Sequence, residues 1–241
     1  MHSPSSASPV FCALDTTDVS QATGLAQRLA GSIGGIKLGL EFFCANGPSG
    51  IEAVAESGLP LFLDLKFHDI PNTVAGAMRS ALRLRPFMTT LHACGGTEMM
   101  RAACDEAAEA QARQGGSRTL VLAVTVLTSM DQAGLDGTGV TASVADQVRR
   151  LAALAQDAGC DGVICSPREA ADLRAHCGPD FKLVVPGIRP SWAAANDQKR
   201  IMTPAEAMAA GADYLVIGRP ITEASDPAVA ARRIAEELAE G

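Results

Sequence analysis

Short apolar runs recur along the chain, and each is followed by a stretch with helical spacing. The runs fall at residues 10–14, 35–38, 61–63, 87–92, 119–125, 162–165, 182–186 and 214–218. Their length and their Gly, Pro and polar boundaries predict buried strands. The stretch 19–33 places Ala22, Ala26, Leu29, Ala30 and Ile33 on one face, and Gly34-Gly35 ends it. Residues 40–57 predict a helix bent near Gly47-Pro48, and 71–83 another that opens on Pro71. Helices follow at 95–114, with Met99, Met100, Ala103 and Ala107 inward, and at 143–159, with Val144, Val148, Leu151 and Leu154 on one face. Shorter helices are predicted over 167–177, 204–210 and 227–240. Residues 128–141 read as a polar, Gly-rich loop, and 187–202 as a long loop.

Strict alternation of strand and helix predicts parallel strands in an α/β protein. Eight such units in 241 residues fit a single-domain (β/α)8 TIM barrel, for which about 250 residues is usual. An open doubly wound sheet is the competing arrangement, but no GxGxxG turn follows the first strand. No linker or shift in composition divides the chain. The expected organisation is a frayed segment over 1–9 and a barrel over 10–241.

Composition narrows the partners. Apolar residues make up 47% of the chain, enough for a full core, and the net charge is −7. Nucleic acid and anionic membranes select basic surfaces, so neither is expected as a partner. No apolar run approaches the roughly 18 residues of a membrane-spanning helix. The first nine residues lack the apolar core of a signal peptide. A cytoplasmic location is expected. The seven cysteines form no CxxC pair, so they are expected as reduced, mostly buried thiols. No histidine pair has metal-ligand spacing, and no metal is expected.

The chemistry gathers around residues 61–73, LFLDLKFHDIPNT. An apolar strand runs straight into Asp64, Lys66 and Asp69. Residues i and i+2 share one face of a strand, so Asp64 and Lys66 are predicted side by side, with Asp69 in the turn ahead of Pro71. Opposite charges at the end of a buried strand are costly unless paired. In a barrel of this kind chemistry sits at the C-terminal strand ends. There the other runs deliver Asp15, Lys37, His92, Thr128, Arg189 and Arg219. The loops after strands seven and eight often hold phosphate. Here they read VPGIRP and IGRP, so Gly218, Arg189 and Arg219 are candidates for a phosphate site, with Gln198 as a neutral donor from the long loop. Taken singly, each has a plainer role. Asp15 and Asp69 would serve as helix caps, Lys37 as a solvated charge, Asp64 with Lys66 as a structural ion pair, and Thr73 as a helix-start residue. Arg189 and Arg219 would sit in surface ion pairs. His68 and His92 read as framework residues.

Six stretches together resemble the bacterial orotidine 5′-phosphate decarboxylase family: ALD at 13–15, IKLG at 36–39, DLKFHDIPNT at 64–73, VTVLTS at 124–129, VPGIRP at 185–190 and IGRPI at 217–221. They span nearly the whole chain in the family's order. The resemblance implies cofactor-free loss of CO2 from orotidine 5′-phosphate to give uridine 5′-phosphate. It implies a homodimer with Asp69 and Thr73 reaching into the partner's site. Lys37, Asp64, Lys66 and Asp69 would form the catalytic set, with Lys66 protonating the ring carbon. Asp15, Lys37, Asp69 and Thr73 would bind the ribose, and Thr128 would lie by the pyrimidine. Arg189, Gln198, Gly218 and Arg219 would hold the phosphate region. Two alternatives stand beside it. A metal-dependent sugar-phosphate decarboxylase shares the Asp-x-Lys-x-x-Asp core, and a catalytically silent phosphate-binding barrel would serve as a scaffold.

Overall fold

The computed structural model describes residues 8–193 and 202–240. Among these, eight parallel strands close into one barrel in chain order. They are β1 Val10–Ala13, β2 Gly35–Gly39, β3 Leu61–Phe67, β4 Met88–His92, β5 Leu120–Val124, β6 Gly162–Ile164, β7 Lys182–Pro186 and β8 Tyr214–Ile217. The circle closes where Phe11 of β1 lies opposite Val216 of β8. This is the predicted (β/α)8 barrel, and the closure excludes an open sheet.

The helices are α1 Val19–Leu29, α2 Leu40–Ala55, α3 Pro71–Ala81, α4 Thr97–Gln114, α5 Gln132–Gly137, α6 Val144–Asp157, α7 Ala170–Cys177, α8 Pro204–Ala209, α9 Arg219–Thr222 and α10 Pro227–Glu240. Their starts follow from local chemistry. The Asp18 carboxylate accepts from the Gln21 N–H at 3.0 Å and caps α1. Ser143 caps α6 through the Asp146 N–H at 3.1 Å. Thr203 and Glu206 form a reciprocal capping box at α8. The bend in α2 is real: Gly47 has φ 61°, outside helical space, and Pro48 follows it.

Both faces of every strand are covered, as parallel sheets require. Side chains alternate between two cores. Phe11, Ala13, Phe62, Met88, Leu122, Val124, Ile164, Val184 and Val216 fill the barrel interior. Cys12, Ile36, Leu63, Leu91, Val163 and Ile217 face the helices. Aromatic rings plug the end where the strands begin. Phe11 stacks on Phe87 at 5.7 Å, and Tyr214 meets both rings edge-on. That end is also braced by acidic residues that accept strand N–H groups: Asp161 from Val121 at 2.7 Å and Asp213 from Leu183 at 2.8 Å. With the floor sealed, the cavity opens only toward the C-terminal strand ends.

Two expectations need correction. The segment 128–141 is not simply a loop. Asp131 accepts from the Gly134 N–H at 3.0 Å and starts α5, and buried Leu135 pins that helix to the core. A second short helix, α9, follows β8 directly. At the other end, fraying was expected through residue 9, yet the Pro9 carbonyl accepts from the Leu215 N–H at 3.0 Å. Residues 1–7 lie outside the described residues.

Candidate active site

Four charges line up at the open end of the barrel. The Lys66 ammonium donates to Asp64 Oδ2 at 2.8 Å. Lys37 Nζ stands 3.8 Å from the same oxygen and 3.4 Å from Asp15 Oδ1. The order in space is therefore Asp15, Lys37, Asp64, Lys66, contributed by β1, β2 and β3. The Asp64 side chain is 11% exposed and that of Lys37 13%, against 28% for Lys66 and 64% for Asp15. The alternating signs share the desolvation of the two inner groups. No member is left as an isolated buried charge, the arrangement that costs most.

Lys66 reaches its place by an irregularity. Between β3 and β4 the register passes from Leu63 opposite Thr89 to Phe67 opposite Leu91, so β3 carries extra residues at this point. Such bulges turn side chains and are common beside active sites. Lys66 itself has φ 51°, in left-handed space, which costs a residue other than Gly of order 1–3 kcal/mol. Two threonines of β4 satisfy the disturbed backbone. Thr89 Oγ1 donates to the Leu63 carbonyl at 2.9 Å. Thr90 Oγ1 accepts from the Lys66 N–H at 3.0 Å and stands 2.8 Å from Asp64 Oδ1. Both threonines are fully buried. Sequence reasoning missed Thr90. Its only signal was parity, since it lies two residues after the inward Met88.

Two adjoining cavities open over this row. One, of about 180 Å³, is lined by Lys37, Phe62, Asp64, Lys66 and Thr128, with apolar walls from Val124, Val126, Ile164 and Pro186. The other, of about 160 Å³, is lined by Asp15, Lys37, Gly187, Arg189, Gly218 and Arg219. Lys37, Pro186 and Val216 line both. One is thus a mostly apolar slot bordered by the charge row, and the other a basic pocket with two arginines. The Arg189 N–H donates to the Met202 carbonyl at 3.0 Å, which closes the neck of the loop after β7. Gly218 packs against the end of β1, where a Cβ would lie 3.4 Å from Ala13 Cβ and 3.7 Å from Asp15 Oδ2.

Not every candidate joins the row. Asp69 and Thr73 are exposed at the start of α3. Asp69 makes no ion pair among the described residues, and its carboxylate accepts from the Ile70 N–H at 2.7 Å. It does not cap α3, whose N-cap position is Ile70 with no side-chain cap. Asp15 is likewise not the cap of α1, a place taken by Asp18. Gln198 lies outside the described residues.

His92 ends β4 with its ring 5.6 Å from that of His68. Burial, the neighbouring His68 and then Lys66 lower the pKa of His92. All seven cysteines are unbridged, and Cys44 and Cys94 are exposed. Burial pushes the Cys12 thiol up to about 12, so it offers no thiolate beside Asp15. Among the described residues no group of three or more His, Cys, Asp or Glu is placed to hold a metal ion.

Fold and site together define a (β/α)8 barrel protein that carries a fixed lysine–carboxylate array beside an arginine-lined pocket. Comparison with known proteins narrows this. The profile of the orotidine 5′-phosphate decarboxylase / HUMPS family matches residues 8–234. A protein of Paramagnetospirillum magneticum named orotidine 5′-phosphate decarboxylase is 60% identical over 230 residues, covering 95% of this chain and 98% of that protein. One of the same name from Rhodospirillum rubrum is 62% identical over 231 residues, covering 95% and 94%. The crystal structure of orotidine 5′-phosphate decarboxylase from Lactobacillus acidophilus superposes with a TM-score of 0.84 at 38% identity, covering 96% of this chain and 99% of that one. The chain belongs to the orotidine 5′-phosphate decarboxylase / HUMPS family.

The His92 environment gives a signed pH prediction. Its folded-state pKa lies below the ordinary 6.5, so the fold favours the neutral ring. The stability this contributes is present above the unfolded value and is lost as pH falls. From about pH 7.5 to about pH 5, the melting temperature of the parent should therefore drop more than that of His92→Gln. Parallel melting curves across that range would contradict the assignment.

Proposed function

We propose that the chain decarboxylates orotidine 5′-phosphate to uridine 5′-phosphate without a cofactor, and that the Asp15–Lys37–Asp64–Lys66 row is its catalytic core. The observation that carries the reading is a doubly contacted Asp64 bordering an apolar slot, with an arginine-lined pocket next to it. The slot suits a flat pyrimidine, with Thr128 beside the ring. The basic pocket suits the phosphate, held by Arg189, Gly218 and Arg219. Lys37 lies where the two cavities join, with Asp15 beside it in the second, which suits the ribose.

In the reaction the bond between ring C6 and its carboxylate breaks, and CO2 leaves. The bonding pair stays on C6 in an in-plane sp2 orbital, which the ring π system does not delocalise. Stabilisation must come from charges fixed beforehand. The Lys66 ammonium supplies the positive charge beside C6 and then transfers a proton to it. The neutral amine left behind regains a proton from water. Asp64 holds both lysines and places negative charge near the departing carboxylate, which disfavours the bound ground state. Phosphate contacts lie away from the reacting carbon, and their binding energy serves to position the ring.

A cytoplasmic homodimer completes the proposal. Leu40, Ile70 and Leu127 are 51%, 66% and 39% exposed. All three follow the C-terminal ends of their strands, on the rim that carries the site. Asp69 and Thr73 share that rim and point out of their own chain's charge row. In a two-fold dimer that buries this rim, they would complete the partner's site with a second carboxylate near Lys66.

Three experiments test this. Lys66→Ala should lose orotidylate turnover while still binding uridine 5′-phosphate, and the parent should keep its activity in the presence of a chelator. Near-parent turnover of the variant would remove Lys66 as the acid, and a chelator loss restored by Mg2+ would favour the metal-dependent alternative. For the dimer, Lys66→Ala and Asp69→Ala proteins, each inactive, should recover about a quarter of parent activity when mixed, because one site in each heterodimer is intact. No recovery after subunit exchange would contradict a shared site.

A further inference from the structure

Lys66 is held at both ends. Its ammonium is fixed by Asp64, and its N–H, which the bulge takes off the β3–β4 ladder, is received by Thr90 Oγ1 at 3.0 Å. A backbone N–H can only donate, so the hydroxyl oxygen accepts there, and its own hydrogen is left for Asp64 Oδ1, 2.8 Å away. That contact occupies Oδ1. It leaves Oδ2 to the two lysines, at 2.8 and 3.8 Å. One hydroxyl, itself 0% exposed, therefore sets both the backbone of the proton donor and the rotation of the carboxylate that holds it.

We propose that Thr90 is a positioning residue for the decarboxylation: its hydroxyl ties the left-handed Lys66 backbone to the Asp64 carboxylate and so fixes where the ammonium group stands. Thr90 lines neither cavity, so it acts on the chemical step through its neighbours and not on substrate affinity. The inference rests on the decarboxylase reading given above.

The chemistry makes the hydroxyl irreplaceable by shape alone. Valine matches threonine in volume but neither accepts from Lys66 nor donates to Asp64. The freed N–H is then buried without a partner, and Asp64 is able to turn Oδ2 away from Lys37. Serine keeps both functions. Cysteine offers only a weak donor and a weak acceptor.

The test is steady-state kinetics on Thr90→Val, Thr90→Ser and Thr90→Cys, with folding checked by circular dichroism and melting. Thr90→Val should lower kcat about 10- to 100-fold, with KM within about threefold of the parent. Thr90→Ser should stay within about threefold of the parent, and Thr90→Cys should fall between them. A Thr90→Val kcat within about twofold of the parent, or a loss confined to KM, would overturn the proposal. So would a Thr90→Ser variant as slow as Thr90→Val, which would make the methyl group the important part. Should Thr90→Val fail to fold, the comparison of cysteine with serine decides: a slower cysteine variant supports the proposal, and equal rates overturn it. Absence of orotidylate turnover in the unsubstituted protein would overturn the decarboxylase reading together with this one, and is told apart because it needs no variant.

Discussion

One carboxylate organises the mouth of this barrel. Asp64 is nearly buried, and it meets Lys66 and Lys37 through one oxygen and Thr90 through the other. A buried carboxylate without partners would cost several kcal/mol. Here both oxygens face a positive group or a hydroxyl, so the charge is tolerated at the end of an apolar strand. Remove it, and two ammonium groups on adjacent strands face each other with nothing between them. The rest of the site is built outward from this contact.

The barrel supplies what the contact needs. Parallel closure brings the ends of β1, β2 and β3 side by side, so residues far apart in the chain form one row. Aromatic packing among Phe11, Phe87 and Tyr214 seals the opposite end, and the cavity opens at the end that carries the charges. Both ends of the barrel carry ionised side chains, but they are used differently. At the floor, Asp161 and Asp213 spend their oxygens on strand N–H groups and arginines. At the mouth, the lysine ammonium groups border open cavities.

Much of this was legible in the sequence. Strand and helix alternate so regularly that the fold follows from periodicity, and the charge row follows from noticing where apolar runs stop. What escaped has physical reasons. The i, i+2 rule places Asp64 and Lys66 on one face of an ideal strand. They do meet, but through a bulge and a left-handed lysine that no local pattern announces. Thr90 looks like any β-branched strand residue. Its role depends on the neighbouring strand, which is a tertiary fact. Asp131 and Leu135 start and anchor α5 inside a stretch whose glycines suggested only a loop.

Family membership and the geometry point the same way. The most specific segment, 64–73, is the segment that the structure turns into strand end, bulge and helix start. The central claim is that the negative charge of Asp64, and not merely its shape, makes the array work. Asp64→Asn keeps the shape and removes the charge, so its turnover of orotidine 5′-phosphate is the most direct measurement. A fall in kcat of at least about a hundredfold, with uridine 5′-phosphate still bound, is the predicted result. Turnover within about threefold of the parent would contradict the account.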